Sequence, residues 1–246
     1  AKTMRKSART LLTRKNKKTA YTVNATIAEK RLGVARYDEK VVDGRDKIGS
    51  AIGLAWTPTG GDILIIETEK MTGKGTLNLT GKLGDVMKES AQAALTSIRS
   101  RAEKIGFDPE EYMKYEVHVH LPEGAVSKDG PSAGITLAVA LASVLSGRPV
   151  RGDIAMTGEI TLRGEVLAIG GLREKLMAAL RCGVKKIIIP EKNKRELSEV
   201  PLAVRKPLNI TTVKTIDEVL DLMLLDKKES RRKVTETVRK HDSGLH

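Results

Sequence analysis

A chain of 246 residues with 40% hydrophobic content can bury one sizeable core, but with aromatics at 2% that core must be aliphatic, which argues against the ring platforms on which single-stranded nucleic acid stacks. The net charge of +13 belongs to the ends: residues 1–36 hold 11 Lys and Arg against 1 Glu, residues 226–246 hold 7 against 4 acids, and residues 37–225 hold 26 of each sign. No apolar run reaches the roughly 18 residues of a membrane span, the start AKTMRKSARTLL has no secretory h-region, and the lone Cys182 excludes an internal disulfide and fits a reducing, cytoplasmic compartment.

Residues 4–18 read as a short basic helix, YTVN (21–24) as a strand and ATIAEKRLG (25–33) as a helix stopped by Gly33. This unit has too few apolar residues to fold alone. DEKVVDGRDKIG (38–49) is a polar linker. AIGLAW (51–56) alternates, with Ile52, Leu54 and Trp56 expected on one face. PTGGD (58–62) turns the chain into ILIIETE (63–69), and TGKG (72–75) turns it into TLNLTG. From Asp85 apolar residues recur at helical spacing as far as Ile105, where Gly106 stops the run. YEVHVHLP (115–122) is a strand with Val117, Val119 and Leu121 inward.

The loop EGAVSKDGPSAG then leads into an apolar helix, 135–145. Residues 154–171 read as short strands with turns, 172–183 as a helix, 185–190 as a buried strand, 210–214 as a last strand and 216–225 as a last helix. The sum is an α+β fold, mixed β-sheets with packed helices, with one main domain at 37–225 and a polar tail from Asp226. The basic ends are ordinarily solvated faces; a weak DNA contact is the alternative.

KDGPSAG (128–134) sets Ser132 at the mouth of an apolar helix. The N–H groups of a first helical turn lack intrahelical partners and favour negative charge. Those of Ser132 and Ala133 are candidates for an oxyanion hole, with Ser132 as nucleophile. The plainer alternative makes Ser132 a helix cap.

A nucleophile needs a base. His241 and His246 lie in the tail, and His118 and His120 alternate onto the polar face of their strand without a third metal ligand. Lys175 is the candidate instead. It lies on the same stripe as Leu172, Leu176, Ala179 and Leu180, whereas Arg173, Glu174 and Arg181 do not. Burial there lowers a lysine's pKa; the alternative is a snorkelling side chain with its amine in water. TGKGT (72–76) is not a P-loop, because Thr68 stands where the first glycine belongs. Gly170-Gly171 opens a helix but by itself is a weak anion-binding signal.

Three segments, GLAWTPTGGDILIIET (53–68), PEGAVSKDGPSAG (122–134) and MTGEITLRGEVLAIGGLREK (156–175), resemble the proteolytic domain of bacterial A-type Lon proteases in order and spacing. The resemblance covers about 37–225. It implies the Lon protease-domain fold (ribosomal protein S5 domain 2-like) and a serine endopeptidase with Ser132 as nucleophile and Lys175 as general base. Supporting roles fall to Thr157, as hydrogen-bond partner of the lysine, and to Asp129 and Glu67. Ser127 departs from the proline common in the family. Residues 1–36 resemble the end of the AAA+ helical subdomain and its linker. In that family unfolded or damaged polypeptides are the substrates, a hexamer is the assembly, and ATP with magnesium drives unfolding. The nucleotide motifs are missing here, so no cofactor is expected for this chain, and the setting is the cytoplasm, or the mitochondrial matrix in a eukaryote. A catalytically silent assembly or DNA-interaction module of the same fold is the alternative.

Overall fold

The computed structural model describes residues 42–57, 60–122 and 128–226, with Arg5, Asn24, Thr26, Ile27 and Lys30 before them. The chain divides into two units between Lys40 and Val41. In the first, the Ile27 N–H donates to Asn24 Oδ1 across 2.9 Å. Most of the elements expected before residue 37, the basic tail and Ser127 lie outside the described residues.

In the second unit, strands β1 (Ser50–Thr57), β2 (Gly60–Thr72), β3 (Thr76–Thr80), β4 (Tyr115–His120) and β5 (Ile154–Met156) belong to one sheet. A short hairpin, β6 (Glu159–Ile160) and β7 (Val166–Leu167), stands apart. β8 (Lys186–Pro190) and β9 (Asn209–Val213) complete a seven-stranded sheet in the order β3-β4-β2-β1-β5-β8-β9. β1, β5, β8 and β9 run parallel, whereas β2 is antiparallel to both β1 and β4. β2 already begins at Gly60, inside the stretch PTGGD expected as a turn, and Gly60 pairs with Thr57. The TGKG turn uses its glycine amides internally: Gly73 donates to Lys114 O and Gly75 to Tyr115 O, each across 2.8 Å.

The helical run from Asp85 is not continuous. Helix α1 (Asp85–Arg99) ends where Ser100 Oγ donates to Ser97 O across 2.8 Å and Arg101 reaches the same carbonyl. Such side-chain donors compete for the carbonyls of the last turn. A single further turn, α2 (Ala102–Ile105), closes on Gly106 at φ 91°. Helix α3 (Gly134–Ser146) is buried on every side, as an apolar helix without a polar face must be. α4 (Leu172–Arg181), the short α5 (Leu202–Arg205) and α6 (Ile216–Met223) follow. Thr215 caps α6 by accepting from the Glu218 N–H.

The helices bury two cores on opposite faces. On one, α1, α3 and α6 cover Ala51, Leu64, Ile66, Val117 and Val119. On the other, α4 covers Ile52, Leu54, Ile63, Ile187 and Ile189. β1 is central and contributes to both, so its alternation does not separate core from solvent. Trp56, expected beside Ile52 and Leu54, is 56% exposed.

Candidate active site

Helix α3 lies on one face of the sheet and α4 on the other, and the candidate residues meet where β5 ends between them. The carboxyl ends of parallel strands are where open α/β sheets usually leave a crevice.

Ser132 belongs to a single 3-10 turn, Pro131–Ala133, that leads into α3, and it is half-buried. It is not a helix cap, since neither the turn nor α3 has a side-chain cap hydrogen bond. The mouth is less open than the sequence suggested. The Gly134 N–H turns back to Pro131 O, and Ile135 donates to Gly158 O across 3.1 Å. The N–H groups of Ser132 and Ala133 precede these two in the chain.

The carbonyl of Ser132 is held twice. Gly158 N–H donates to it across 2.9 Å, and Thr157 Oγ1 donates across 3.2 Å. Thr157 is wholly buried, and its own N–H is tied to Ile188 O on β8.

Lys175 is 1% exposed, on the face of α4 that carries Leu172, Leu176 and Ala179 into the second core. It does not snorkel. Its Nζ donates to Thr157 Oγ1 across 3.0 Å. Burial lowers its pKa from 10.5 to about 8, because a cation loses hydration there. Among the described residues no carboxylate pairs with it. The hydroxyl of Thr157 has one proton, which goes to Ser132 O, so in the contact with Lys175 the amine donates. The lone pair of a neutral amine is thereby left for another partner. There is no direct hydrogen bond between Lys175 and Ser132 Oγ.

Asp129 acts on the loop and on α1. Its Oδ1 accepts from Gly130 N–H at 2.9 Å and from Met87 N–H at 3.1 Å. The second bond caps α1, whose own N-cap, Gly84, has no side chain. A Cβ on Gly84 would lie 2.3 Å from the Asp129 carboxyl carbon. Ser90 Oγ makes a long contact, 3.4 Å, to Pro131 O.

Glu67 is not hydrogen-bonded into this cluster. It is exposed on β2, beside Ser50 and His120 in register, and does not hydrogen-bond Ser132, Thr157 or Lys175. His118 and His120 share Thr80 Oγ1, at 2.8 and 2.7 Å. No group of three or more His, Cys, Asp or Glu among the described residues could hold a metal ion.

Two contributors escaped the sequence reading. Gly158 lies within a quoted motif, but only the fold shows that its N–H reaches Ser132. Asn193 is wholly buried in the Lys-rich segment Glu191–Glu199. Its side chain accepts from Ile169 N–H at 3.0 Å and donates to Ile169 O at 2.8 Å, two residues before the N-cap of α4. Its charged neighbours disguise it as a surface residue.

A family model described as the Lon protease (S16) C-terminal proteolytic domain matches residues 22–226. The chain is 57% identical over 194 residues to a Lon protease of Syntrophomonas wolfei subsp. wolfei, covering 79% of this chain and 24% of that protein. It is 54% identical over 224 residues to a Lon protease of Erwinia amylovora, covering 91% and 28%. It is 52% identical over 235 residues to a Lon protease of Escherichia coli (strain K12), covering 96% and 30%. The chain thus spans about a quarter to three-tenths of the length of these relatives.

Proposed function

The chain belongs to the family of Lon C-terminal proteolytic domains, and from that membership we propose that it hydrolyses peptide bonds with Ser132 as nucleophile and Lys175 as general base. One observation carries the reading: a wholly buried lysine, with its pKa lowered to about 8, donates to the hydroxyl that holds the carbonyl of Ser132. A neutral Lys175 takes the Ser132 proton as Oγ attacks the peptide carbonyl. The oxyanion is held by N–H groups of the Ser132 turn. Lys175 returns the proton to the departing amine, leaving an acyl-enzyme and a free amino terminus. Water, deprotonated by Lys175, then releases the acyl group and restores Ser132.

The sheet supports an extended polypeptide as substrate. β1 pairs with β2 along its full length but with β5 only at Ile52 and Gly53. Beyond Gly53 the edge formed by Leu54, Ala55 and Trp56 has no strand partner on that side among the described residues, and the Ser132 turn packs against β1. An unfolded segment added there as a strand would satisfy the edge and lie beside the nucleophile. Unfolded or damaged proteins in the cytoplasm are accordingly the proposed substrates, and a homo-oligomeric ring, hexameric by family resemblance, the proposed assembly. Cleavage by this chain is proposed to need neither ATP nor magnesium.

The test is a fluorophosphonate probe with peptide mapping. Labelling at Ser132 that is lost in Ser132→Ala and Lys175→Met is the expected result. Absence of both labelling and peptide cleavage in the wild type would favour the silent assembly module.

A further inference from the structure

Arg101 lies in the break between α1 and α2, and its side chain is only 17% exposed. Its guanidinium is used in every direction. Nη1 donates to Ser97 O and Ser97 Oγ at 3.0 Å each and to Ser100 Oγ at 3.2 Å. Nε donates to Asp217 Oδ2 at 3.1 Å, and Nη2 donates to Arg163 O at 2.7 Å. The planar fork of arginine suits such divergent acceptors, and lysine cannot replace it.

Arg163 and Gly164 form the turn of the β6–β7 hairpin. Gly164 adopts φ 85°, and a Cβ there would lie 2.2 Å from the Arg101 guanidinium. The turn is therefore shaped around the arginine. The start of α6 and the residues before it hold the same turn: Ile216 donates to Gly164 O and Val166 to Lys214 O, both across 2.8 Å.

The two legs of this hairpin run to the candidate catalytic groups. One begins at Thr157 and Gly158, which hold the Ser132 carbonyl. The other leads through Ile169 to α4 and Lys175. α1 and α6 already contribute to one core, through Ile98, Ile216 and Val219. Of the contacts Arg101 makes, the one that reaches beyond that helix pair is the bond to Arg163 O. We infer that Arg101 is a positioning residue for the Ser132–Lys175 pair: by locking the 161–165 turn against α1 and α6, it fixes both legs that bring Thr157, Gly158 and Lys175 to Ser132. This rests on the proteolytic reading above.

The experiment uses the 246-residue chain and two readouts: the Lys175 titration by ¹³Cε NMR, and cleavage of an unstructured peptide across pH. In Arg101→Met the chain stays folded, by circular dichroism. A loosened hairpin admits water, so the Lys175 midpoint climbs from about 8 toward 10.5, by at least roughly half a pH unit. The acid limb of kcat/KM moves with it, and kcat falls about tenfold with KM nearly unchanged, as expected for misplacement of reacting groups. Arg101→Lys, which can keep Asp217 but not Arg163 as well, lies between and decides the matter if the methionine variant does not fold. An unmoved Lys175 midpoint and a kcat within about twofold of wild type, in either folded variant, overturn the inference. A wild-type chain that fails to cleave peptide overturns the proteolytic reading instead, while the NMR comparison still tests Arg101.

Discussion

Lys175 Nζ donates to Thr157 Oγ1 across 3.0 Å, and that hydroxyl donates onward to the carbonyl of Ser132. The base and the nucleophile's backbone are thus read by one hydroxyl group, placed where β5 ends. A two-layer helix arrangement makes this possible, because α3 and α4 approach the strand from opposite faces.

The first prediction concerns activity and pH. Only the neutral amine accepts a proton, and burial lowers the pKa of Lys175 to about 8. Activity is therefore low below that pH and rises through it, well before the range of an ordinary lysine. Lys175→Arg and Lys175→Met are both expected to lose at least about 10²-fold in kcat/KM, the usual contribution of a positioned base. Residual activity above about a tenth in either variant removes the lysine from the mechanism.

Stability should move the other way in the methionine variant. Because the folded state holds the lysine at about 8 against 10.5 in the unfolded chain, the unfolded chain binds more protons between these values. Wild-type stability then rises with pH across that window. Below pH 8 the buried charge costs roughly 3 kcal/mol, a cost absent in Lys175→Met, which keeps similar bulk. Urea denaturation should show Lys175→Met more stable near pH 7, with the gap shrinking between pH 8 and 10.5. A pH-independent gap would mean that the amine reaches water.

Thr157 is the next test. Valine matches its shape but removes the hydroxyl, leaving the Lys175 amine without its acceptor and Ser132 O with one donor instead of two. A loss of about 1–2 kcal/mol is expected from the unsatisfied amine, together with a fall in kcat of roughly tenfold or more from a misplaced base. Thr157→Ser keeps the hydroxyl and should restore most of the rate. Equal rates in the valine and serine variants would show that the hydroxyl orients nothing.

Asp129 separates a capping role from a charge role. Asp129→Ala removes acceptors from Met87 and Gly130 and should lower stability by about 1 kcal/mol, as lost caps do. Asp129→Asn retains an Oδ1 acceptor and is expected to melt close to wild type with near-normal kcat. Strong inactivation of the asparagine variant would show that the carboxylate charge itself is required.

How far the sequence leads is visible residue by residue. Alternation in YEVHVHLP puts Val117, Val119 and Leu121 inward, the aliphatic run KIIIP is a buried strand, and the stripe on 172–180 marks Lys175 as a residue on a core face. Those patterns are local, because side-chain direction follows from a helical or extended repeat alone. The break at Ser100 and Arg101 was not legible, since a serine and an arginine end a helix only where their donors find carbonyls. Trp56 shares the face of Ile52 and Leu54, as alternation places it, but stays exposed at the end of β1, and only the packing at the start of α4, where a Cβ on Gly171 would meet its ring, shows how far the cover extends. Glu67, grouped with the site by resemblance, is exposed on β2 and shares no hydrogen bond with Ser132, Thr157 or Lys175. Whether Lys175 snorkels or is sealed, whether Ser132 caps a helix or has its carbonyl held by Thr157 and Gly158, and whether Asn193 is a surface or a buried residue were decided only by the packing of the sheet and its two helix layers. Burial and hydrogen bonding between segments far apart in the chain are properties of the folded whole, and no repeat within one segment encodes them.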